Sequence, residues 1–219
     1  MEDLFADTFG IEFTSKIIFD SIHKTNALEI KSVINENNTK KINFTYKEAE
    51  YLYVYNIEKY KNYSGTTIMK KVIELGEKLN VKYIELCDCA MFKLGDYKDL
   101  SICLAPFHII TTGFSWYNKL GFKSDATNDE ILENEKIINL YLFDLVDDEY
   151  CERFQETFPE IDIEEKTLKQ IFVYLKEIYI NNKPERKKMT YLQSHLLEDF
   201  TLDLYDILSY EPTLRYYFV

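Results

Sequence analysis

Residues 51–88 constrain the fold of this chain most, because they combine strand, turn, helix and strand patterns in one short segment. Tyr51–Ile57 is rich in aromatic and β-branched residues, which favours a strand. The small polar turn Asn62–Thr67 leads into apolar residues at helical spacing over Gly65–Leu79, and Val81–Asp88 indicates a second strand. A strand–helix–strand crossover brings its two strands into parallel pairing. The sequence therefore predicts an α/β fold with a parallel strand pair.

The other patterns before residue 147 predict shorter elements around this crossover. Ile17, Ile18 and Ile22 suggest a short amphipathic helix over residues 13–23. The remaining prediction consists of strands at 27–34, 41–46 and 137–145, a turn at Asn35–Asn38, an irregular insertion at Met91–Leu100, a helix from Pro106 to Lys119, and a short strand after Gly121.

After Val146 the pattern becomes helical. Apolar residues recur at helical spacing over Leu168–Tyr179 and again over Leu197–Leu208, with a break at Asn181–Pro184. Such one-sided apolar stripes must pack against something. We therefore predict a domain at 1–146, with its informative core at 41–146, and a helical extension at 147–219 that packs on it.

Charge and cysteine content limit the function classes. The chain has 219 residues and a formal net charge of −12, which argues against binding nucleic acid through bulk electrostatics. The amino terminus lacks a signal-peptide pattern and no apolar run is long enough to span a membrane, so a cytoplasmic protein is expected. The four cysteines have neither disulfide-framework nor zinc-site spacing, so buried free thiols are expected.

A second motif follows the crossover. Trp116-Tyr117-Asn118-Lys119-Leu120-Gly121-Phe122 resembles a pattern of the GCN5-related N-acetyltransferase (GNAT) superfamily: aromatic or Leu, Tyr, two residues, Leu or Arg, Gly, Phe. The turn at Asn62, Gly65 and Thr67 is similar to the family's Arg or Gln, two residues, Gly, one residue, Gly or Ala. Only the central glycine of the turn is retained there. Ile110 also stands where many members have Asn.

This resemblance implies a fold and a cofactor site. The implied fold is a GNAT-like mixed, twisted sheet flanked by helices, with the C-terminal helical extension added. The implied co-substrate is acetyl-CoA, with no metal. Backbone N–H groups of the turn would hold the pyrophosphate, and the preceding strand, opened by a bulge, would pair with the pantetheine arm. The implied cofactor-binding residues are Tyr53, Val54, Tyr55, Asn62, Tyr63, Ser64, Gly65, Thr66, Thr67 and Asn118.

The resemblance also implies catalytic roles. Tyr117 matches the tyrosine that protonates the departing CoA thiolate. A carboxylate must accept the proton of the amine, and the candidates are Glu85, Glu50 and Asp88. Each of the three has the competing interpretation of a solvated charge at a strand edge. For His23, His108 and His195, in helix-like contexts, a structural role is the favoured interpretation.

The predicted function is acetyl transfer from acetyl-CoA to a primary amine of a protein, polyamine or metabolite. The alternatives are a catalytically inactive GNAT-fold module that acts in structure or protein interaction, and an unrelated α/β protein. The helical extension suggests a homodimer or protein partner, and neither nucleic acid nor membrane is expected as a partner. The Ser115–Asn118 variant also resembles acetyltransferase-like proteins of large DNA viruses, for which the host cytoplasm or virion would be the location.

Overall fold

The computed structural model describes residues 1–33, 42–57, 63–94, 96–97 and 99–218. The predicted turn Asn35–Asn38 and the predicted cofactor residue Asn62 lie outside these ranges. The chain divides into two compact units. Unit 1 comprises Met1–Cys87, Leu120–Ser124 and Thr213–Val219, and unit 2 comprises Asp88–Lys119 and Asp125–Pro212.

Strands and helices are numbered in chain order. The strands are β1 (Phe13–Asp20), β2 (Thr25–Ser32), β3 (Ile42–Lys47), β4 (Tyr51–Ile57), β5 (Tyr83–Cys87), β6 (Met91–Lys93), β7 (Ser101–Cys103) and β8 (Thr213–Tyr217). The α-helices are α1 (Glu2–Phe9), α2 (Gly65–Lys78), α3 (Leu104–Thr112), α4 (Thr127–Ile137), α5 (Asp148–Thr157), α6 (Leu168–Leu175), α7 (Lys183–Lys188) and α8 (Tyr191–Ile207).

Unit 1 is built on a mixed six-stranded sheet in the order β1-β2-β3-β4-β5-β8. Only β4 and β5 are parallel neighbours in it, and the other adjacent pairs are antiparallel. The helix α2 connects the parallel pair, as the sequence predicts. The protein is therefore of the mixed α/β class, with a mostly antiparallel sheet.

One face of this sheet carries an apolar row that crosses the strands. Ile30, Phe44, Val54, Leu86 and Leu214 are successive cross-strand partners, and all are buried. Helix α1 adds two phenylalanine rings to this face, with centroids 5.3 and 5.7 Å from the Phe44 ring. Burying each of these side chains contributes about 1.5–3 kcal/mol, so this row forms the core of unit 1.

Segment 13–23 is a strand and a turn, so the predicted amphipathic helix is wrong. All eight residues of β1 pair with β2. Ile17 and Phe19 are exposed, and the isoleucine spacing therefore does not mark a buried helical stripe. β-Branched residues suit a strand as well as a short helix, and pairing with a distant segment decides between the two.

Unit 2 is mainly helical around its own core. Buried side chains from α3, α5, α6 and α8 form this core, including Phe107, Phe154, Phe172 and Phe200. The helical prediction for the C-terminal region is confirmed for α6 and α8. No described helix has the length and apolar character required to cross a membrane.

Several predicted boundaries in unit 2 are wrong. The segment 137–145 is not the predicted strand. It contains the end of α4 and a 3-10 turn at Leu142–Asp144, and its β-pairing is limited to an isolated bridge between Tyr141 and Thr167. The insertion at 91–100 contributes β6 of a small hairpin with β7. Helix α3 ends at Thr112, well before Lys119, because Gly113 adopts a left-handed conformation with φ of 89°.

The units do not follow the predicted boundary at residue 146. Thr213–Tyr217 forms β8, which pairs with β5 in unit 1, so the region after 146 is not helical throughout. Near the second motif, Gly121 has φ of 93° and Phe122 is buried against Tyr216. The predicted strand after Gly121 is reduced to a single bridge between Lys123 and Arg215.

The predicted burial of the cysteine side chains is correct for two of the four cysteines. Cys103 and Cys151 are buried, whereas Cys87 and Cys89 are exposed. Cys87 ends β5, and Cys89 lies beyond that strand.

Gly76 allows α2 to approach the sheet closely. A Cβ atom at this position would lie 2.7 Å from the Phe218 ring and 2.8 Å from Cδ1 of Ile84, which is fully buried. Overpacking of this kind costs about 1–3 kcal/mol, and the higher helix propensity of alanine offsets roughly 1 kcal/mol. We therefore expect Gly76→Ala to lower the free energy of unfolding by about 1 kcal/mol, the middle of the range that remains, measured by urea denaturation.

Lys70→Ala, on the exposed side of the same helix, is the matched control and should leave stability nearly unchanged. A Gly76→Ala protein at least as stable as the wild type would contradict the close approach.

Candidate functional site

In the sheet of unit 1, the parallel pairing of β4 with β5 ends before β4 itself ends. Pairing between β4 and β5 runs from Tyr51–Tyr83 to Val54–Leu86, while β4 continues to Ile57. On the other side of β4, Phe44 pairs with Val54 and Asn43 pairs with Asn56. Tyr55 is therefore an extra residue, a β-bulge, at the point where the ladder to β5 ends. The strand bulge that the GNAT resemblance implies is present at this position.

Tyr53 and Tyr55 lie together at the bulge. Their ring centroids are 4.7 Å apart, and the Tyr55 side chain is 53% exposed. Burial, with the nearby carboxylates of Asp20 and Glu29, raises the pKa of the Tyr55 phenol. The phenol therefore stays protonated at neutral pH and can donate a hydrogen bond.

Helix α2 begins with a capped first turn. The Ser64 hydroxyl accepts a hydrogen bond from the Thr67 N–H at 3.1 Å, and the first helical bond joins the Ile68 N–H to the Ser64 carbonyl. The amides of Gly65 and Thr66 precede that bond, so no helical carbonyl can accept from them. The turn is exposed and contains no acidic residue. Together with the helix dipole, these N–H groups can bind an anion by donating hydrogen bonds to it.

The far end of α2 shows which end of β4 this turn approaches. After the helix, the Lys82 N–H donates to the Glu50 carbonyl at the start of β4. The helix has 14 residues and a length of about 21 Å, similar to the roughly 20 Å span of a seven-residue strand. Its first turn is therefore directed toward the end of β4 that contains the bulge.

A buried charge network occupies the sheet face opposite the apolar row. Glu85, with a side chain 3% exposed, pairs in register with Tyr53 on β4 and with Arg215 on β8. Its Oε2 accepts a hydrogen bond from Arg215 Nε at 2.5 Å, and its Oε1 lies 3.0 Å from His23 Nε2. The prediction that Glu85 is a solvated strand-edge charge is therefore wrong.

The second carboxylate of the network is Asp20, at the end of β1. Its Oδ2 accepts from the Tyr51 hydroxyl at 2.7 Å and lies 2.9 Å from His23 Nδ1, while Oδ1 accepts from the Ile22 N–H. Burial alone raises the pKa of Asp20, but these hydrogen bonds outweigh it and lower the pKa overall. Asp20 is therefore ionised at neutral pH.

His23 joins the two carboxylates. Each ring nitrogen faces a carboxylate oxygen, Nδ1 that of Asp20 and Nε2 that of Glu85. The guanidinium of Arg215 supplies positive charge beside Glu85, as burial of a carboxylate requires. The hydrogen bond that Arg215 donates to Glu85 raises the pKa of Arg215.

The hairpin of β1 and β2 positions His23. The turn between the strands contains Lys24 in a left-handed conformation with φ of 51°, and the His23 ring stacks on Tyr51 with centroids 4.0 Å apart. Lys47, at the turn between β3 and β4, holds the hairpin end through a hydrogen bond to Thr25. His23 is therefore a turn residue and not a helical one, although its polar atoms are satisfied as expected.

The other predicted catalytic carboxylates are placed differently. Glu50 is exposed and precedes β4, about 16 Å along the chain from the bulge at Tyr55. Asp88 belongs to unit 2 and is buried, accepting a hydrogen bond from the Tyr210 hydroxyl at 2.8 Å. Burial raises the pKa of Asp88. Asp88 is therefore not the solvated charge that the sequence suggested.

Tyr117 and Asn118 also belong to unit 2, in the turn after α3. Tyr117 is half-buried, with its ring against Trp116 at 4.8 Å between centroids. Asn118 Oδ1 accepts from the Ser115 N–H at 2.8 Å, so this side chain stabilises the turn that carries Tyr117. The described residues therefore bring Tyr53, Tyr55 and Glu85 together in unit 1 and hold Tyr117 in unit 2.

Sequence analysis missed Asp20, Tyr51 and Arg215 as members of the network. An aspartate three residues before a histidine in a hairpin turn, Asp20 and His23, is a local signal that could have been found. No local signal marks Arg215, because it meets Glu85 only through the pairing of β5 with β8.

Comparisons with protein-family profiles, curated proteins and solved structures find no match for this chain. Within the described ranges, no group of three or more His, Cys, Asp or Glu side chains is arranged to hold a metal ion.

We expect Arg215→Met to lower the free energy of unfolding by about 2 kcal/mol, because it leaves Glu85 buried without its cation. This figure lies below the range for fully buried pairs because the Arg215 side chain is 35% exposed. Glu85→Gln should also destabilise the protein. In a urea double-mutant cycle, the loss of unfolding free energy in the double variant should be smaller than the sum of the two single losses by at least about 1 kcal/mol.

The surface pair Glu74 and Lys78 serves as the control cycle, through Glu74→Gln and Lys78→Met, and should show no measurable coupling. Additive effects of Arg215→Met and Glu85→Gln would show that the two charges do not interact.

The lowered pKa of Asp20 predicts an acid-dependent contribution to stability. Its folded pKa is below its unfolded value, so the contribution is full above about pH 4 and is lost as pH falls through the folded pKa. The stability difference between wild type and Asp20→Asn should therefore be largest above about pH 5 and decrease toward pH 2. Urea unfolding across this range measures it, with Asp7→Asn at an exposed position as control. A pH-independent difference would contradict the prediction.

Proposed function

We propose that this protein transfers an acetyl group from acetyl-CoA to a primary amine, using a GNAT-like fold. The observation that carries the proposal is the bulge at Tyr55 where the β4–β5 ladder ends, followed in the chain by the capped first turn of α2. The motif at Trp116–Phe122 supports it independently.

In the proposed complex, the first turn of α2 binds the pyrophosphate. The Gly65 and Thr66 amides donate to phosphate oxygens, and the helix dipole favours the negative charge. The Thr67 N–H is already bound to Ser64, so this position contributes less than the resemblance implies. The pantetheine arm pairs with the backbone of β4 beyond Val54, as an added strand does.

The proposed chemistry is direct attack of the amine on the thioester. The neutral amine forms the new C–N bond, and the C–S bond breaks. Glu85 accepts the proton of the amine directly or through water, and the departing thiolate takes up a proton and leaves as CoA. Glu85 Oε1 keeps one lone pair beyond its contact with His23, which suits a bridging water.

A catalytically inactive module of the same fold is the second candidate. It is favoured by the engagement of both Glu85 oxygens, one by His23 and one by Arg215, and by the position of Glu50 far from the bulge. In this case the chain would bind a protein partner or a second copy of itself and would not turn over acetyl-CoA.

Titration calorimetry with CoA and acetyl-CoA tests the cofactor site. We expect micromolar binding by the wild type and at least a tenfold loss in Gly65→Glu, because a carboxylate at the first turn repels the pyrophosphate. The same carboxylate is favourable at a helix N-terminus, so Gly65→Glu should melt no lower than wild type.

Gly65→Ala, which adds no charge, is the control and should bind within about threefold of wild type. If millimolar CoA and acetyl-CoA both fail to bind the wild type, the enzyme proposal is overturned and the inactive module is favoured. If binding is found, release of CoA with a panel of primary amines then separates an enzyme from a binding module.

A further inference from the structure

The carboxyl end of α3 in unit 2 gathers three basic side chains. Lys176 Nζ donates to the Thr111 hydroxyl at 3.3 Å, and His108 Nδ1 lies 3.4 Å from the Thr112 hydroxyl. Lys119 Nζ lies 5.3 Å from the centre of the Phe114 ring. The contacts of the three side chains thus all fall on residues 111–114, and we call this group the α3-end cluster.

The α3-end cluster is not paired with a carboxylate of its own unit within the part that the structure describes. Among the described residues of unit 2, no carboxylate forms an ion pair with Lys119, Lys176 or His108. Burial, followed by the positive charges of Lys176 and Lys119, lowers the pKa of His108 to about 4. Burial and Lys119 also lower the pKa of Lys176. Two lysine charges therefore lie close together here, without an ion-paired carboxylate among the described residues of the unit, in a chain whose net charge is −12.

The hydroxyl groups determine the direction of the hydrogen bonds. Thr111 Oγ1 donates to the Phe107 carbonyl at 3.0 Å, so it accepts from Lys176. Thr112 Oγ1 donates to a backbone carbonyl, that of His108 or Phe114, so it accepts from Nδ1–H of His108. The other ring nitrogen, Nε2, therefore carries the lone pair of the neutral ring. It becomes a donor if a nearby anion stabilises the imidazolium form.

Stabilisation of the helix end explains only part of this arrangement. Cations near a helix C-terminus interact favourably with its dipole. Lys176, however, donates to a side-chain hydroxyl, and a second lysine lies close enough to oppose its charge. Space is also open here, since a Cβ atom on Gly113 would meet no heavy atom within 4 Å.

We propose that Lys119, Lys176 and His108 form a binding site for a phosphate monoester. Two ammonium groups balance a dianion, and His108 supplies a further donor once it is protonated. Compact point charges on flexible stems suit a phosphate group. The phosphate is either that of a separate metabolite or the 3′-phosphate of CoA, and only the second case rests on the proposed function.

The first test titrates the full-length protein with inorganic phosphate at pH 7 and constant ionic strength, followed by NMR of the histidine ring protons. We expect the His108 signal to shift with saturation at millimolar phosphate, while the signal of His195, which is paired with Asp199, stays in place. Lys119→Met and Lys176→Met should each weaken binding about tenfold or more, because each removes a charge-assisted hydrogen bond.

Lys136→Met, in an exposed pair with Glu133 on α4, is the matched control and should bind like the wild type. Thermal melting checks that all three variants fold, and methionine retains the apolar length of the lysine side chain. A His108 signal that does not respond to phosphate would overturn the site. Equal phosphate affinity in the Lys119→Met, Lys176→Met and wild-type proteins would also overturn it.

The second test compares CoA with dephospho-CoA, which lacks the 3′-phosphate. Tighter binding of CoA, with a difference that disappears in Lys119→Met and Lys176→Met, assigns the site to the CoA phosphate. Phosphate binding with equal affinity for the two cofactor forms assigns it to a separate phosphate compound. Phosphate binding without any CoA binding overturns the proposed function and leaves the α3-end cluster supported, so the two failures are distinguishable.

Discussion

The parallel pairing of β4 with β5 is the constraint on which the arrangement of unit 1 depends. Parallel neighbours cannot be joined by a tight turn, so the chain must cross over through α2 and begin that helix toward the far end of β4. The same pairing ends at Val54, where the bulge at Tyr55 leaves the remainder of β4 beyond the ladder. One ladder thus accounts for both halves of the proposed cofactor site in this unit.

This ladder also creates an electrostatic requirement. It places Glu85 at a buried position of β5, between β4 and β8, where a carboxylate is stable only with close partners. The partners come from distant parts of the chain, since His23 is 62 residues before Glu85 and Arg215 is 130 residues after it. The network therefore connects the first hairpin with the last strand. Loss of β8 would leave a buried carboxylate without its guanidinium.

Groups that can attract an anion are confined to particular places in this acidic chain. The first turn of α2 has no carboxylate, and the α3-end cluster joins two lysines and a histidine without an acidic partner in the described part of unit 2. Both places suit phosphate groups, which the net charge of −12 would otherwise repel. Net charge alone therefore argues against extended nucleic acid as a ligand, and has little bearing on small phosphate-bearing ligands.

The sequence determined the elements whose signals are local. The crossover at 51–88 follows from aromatic and β-branched strand residues, a glycine-containing turn and a regular apolar stripe, all within one segment. The start of α2 followed local chemistry too, through the Ser64 cap, whereas the end of α3 at Gly113 was missed although a glycine is a local helix-stop signal. Only the tertiary structure decided that residues 13–20 form a strand, because their short isoleucine pattern suits either element until β2 pairs with it. The rest of the charge network was likewise undecidable from sequence, since the local pair Asp20 and His23 meets Glu85 and Arg215 only when β1, β5 and β8 join one sheet. Propensity acts over a few residues, whereas burial and charge compensation depend on which distant segments meet.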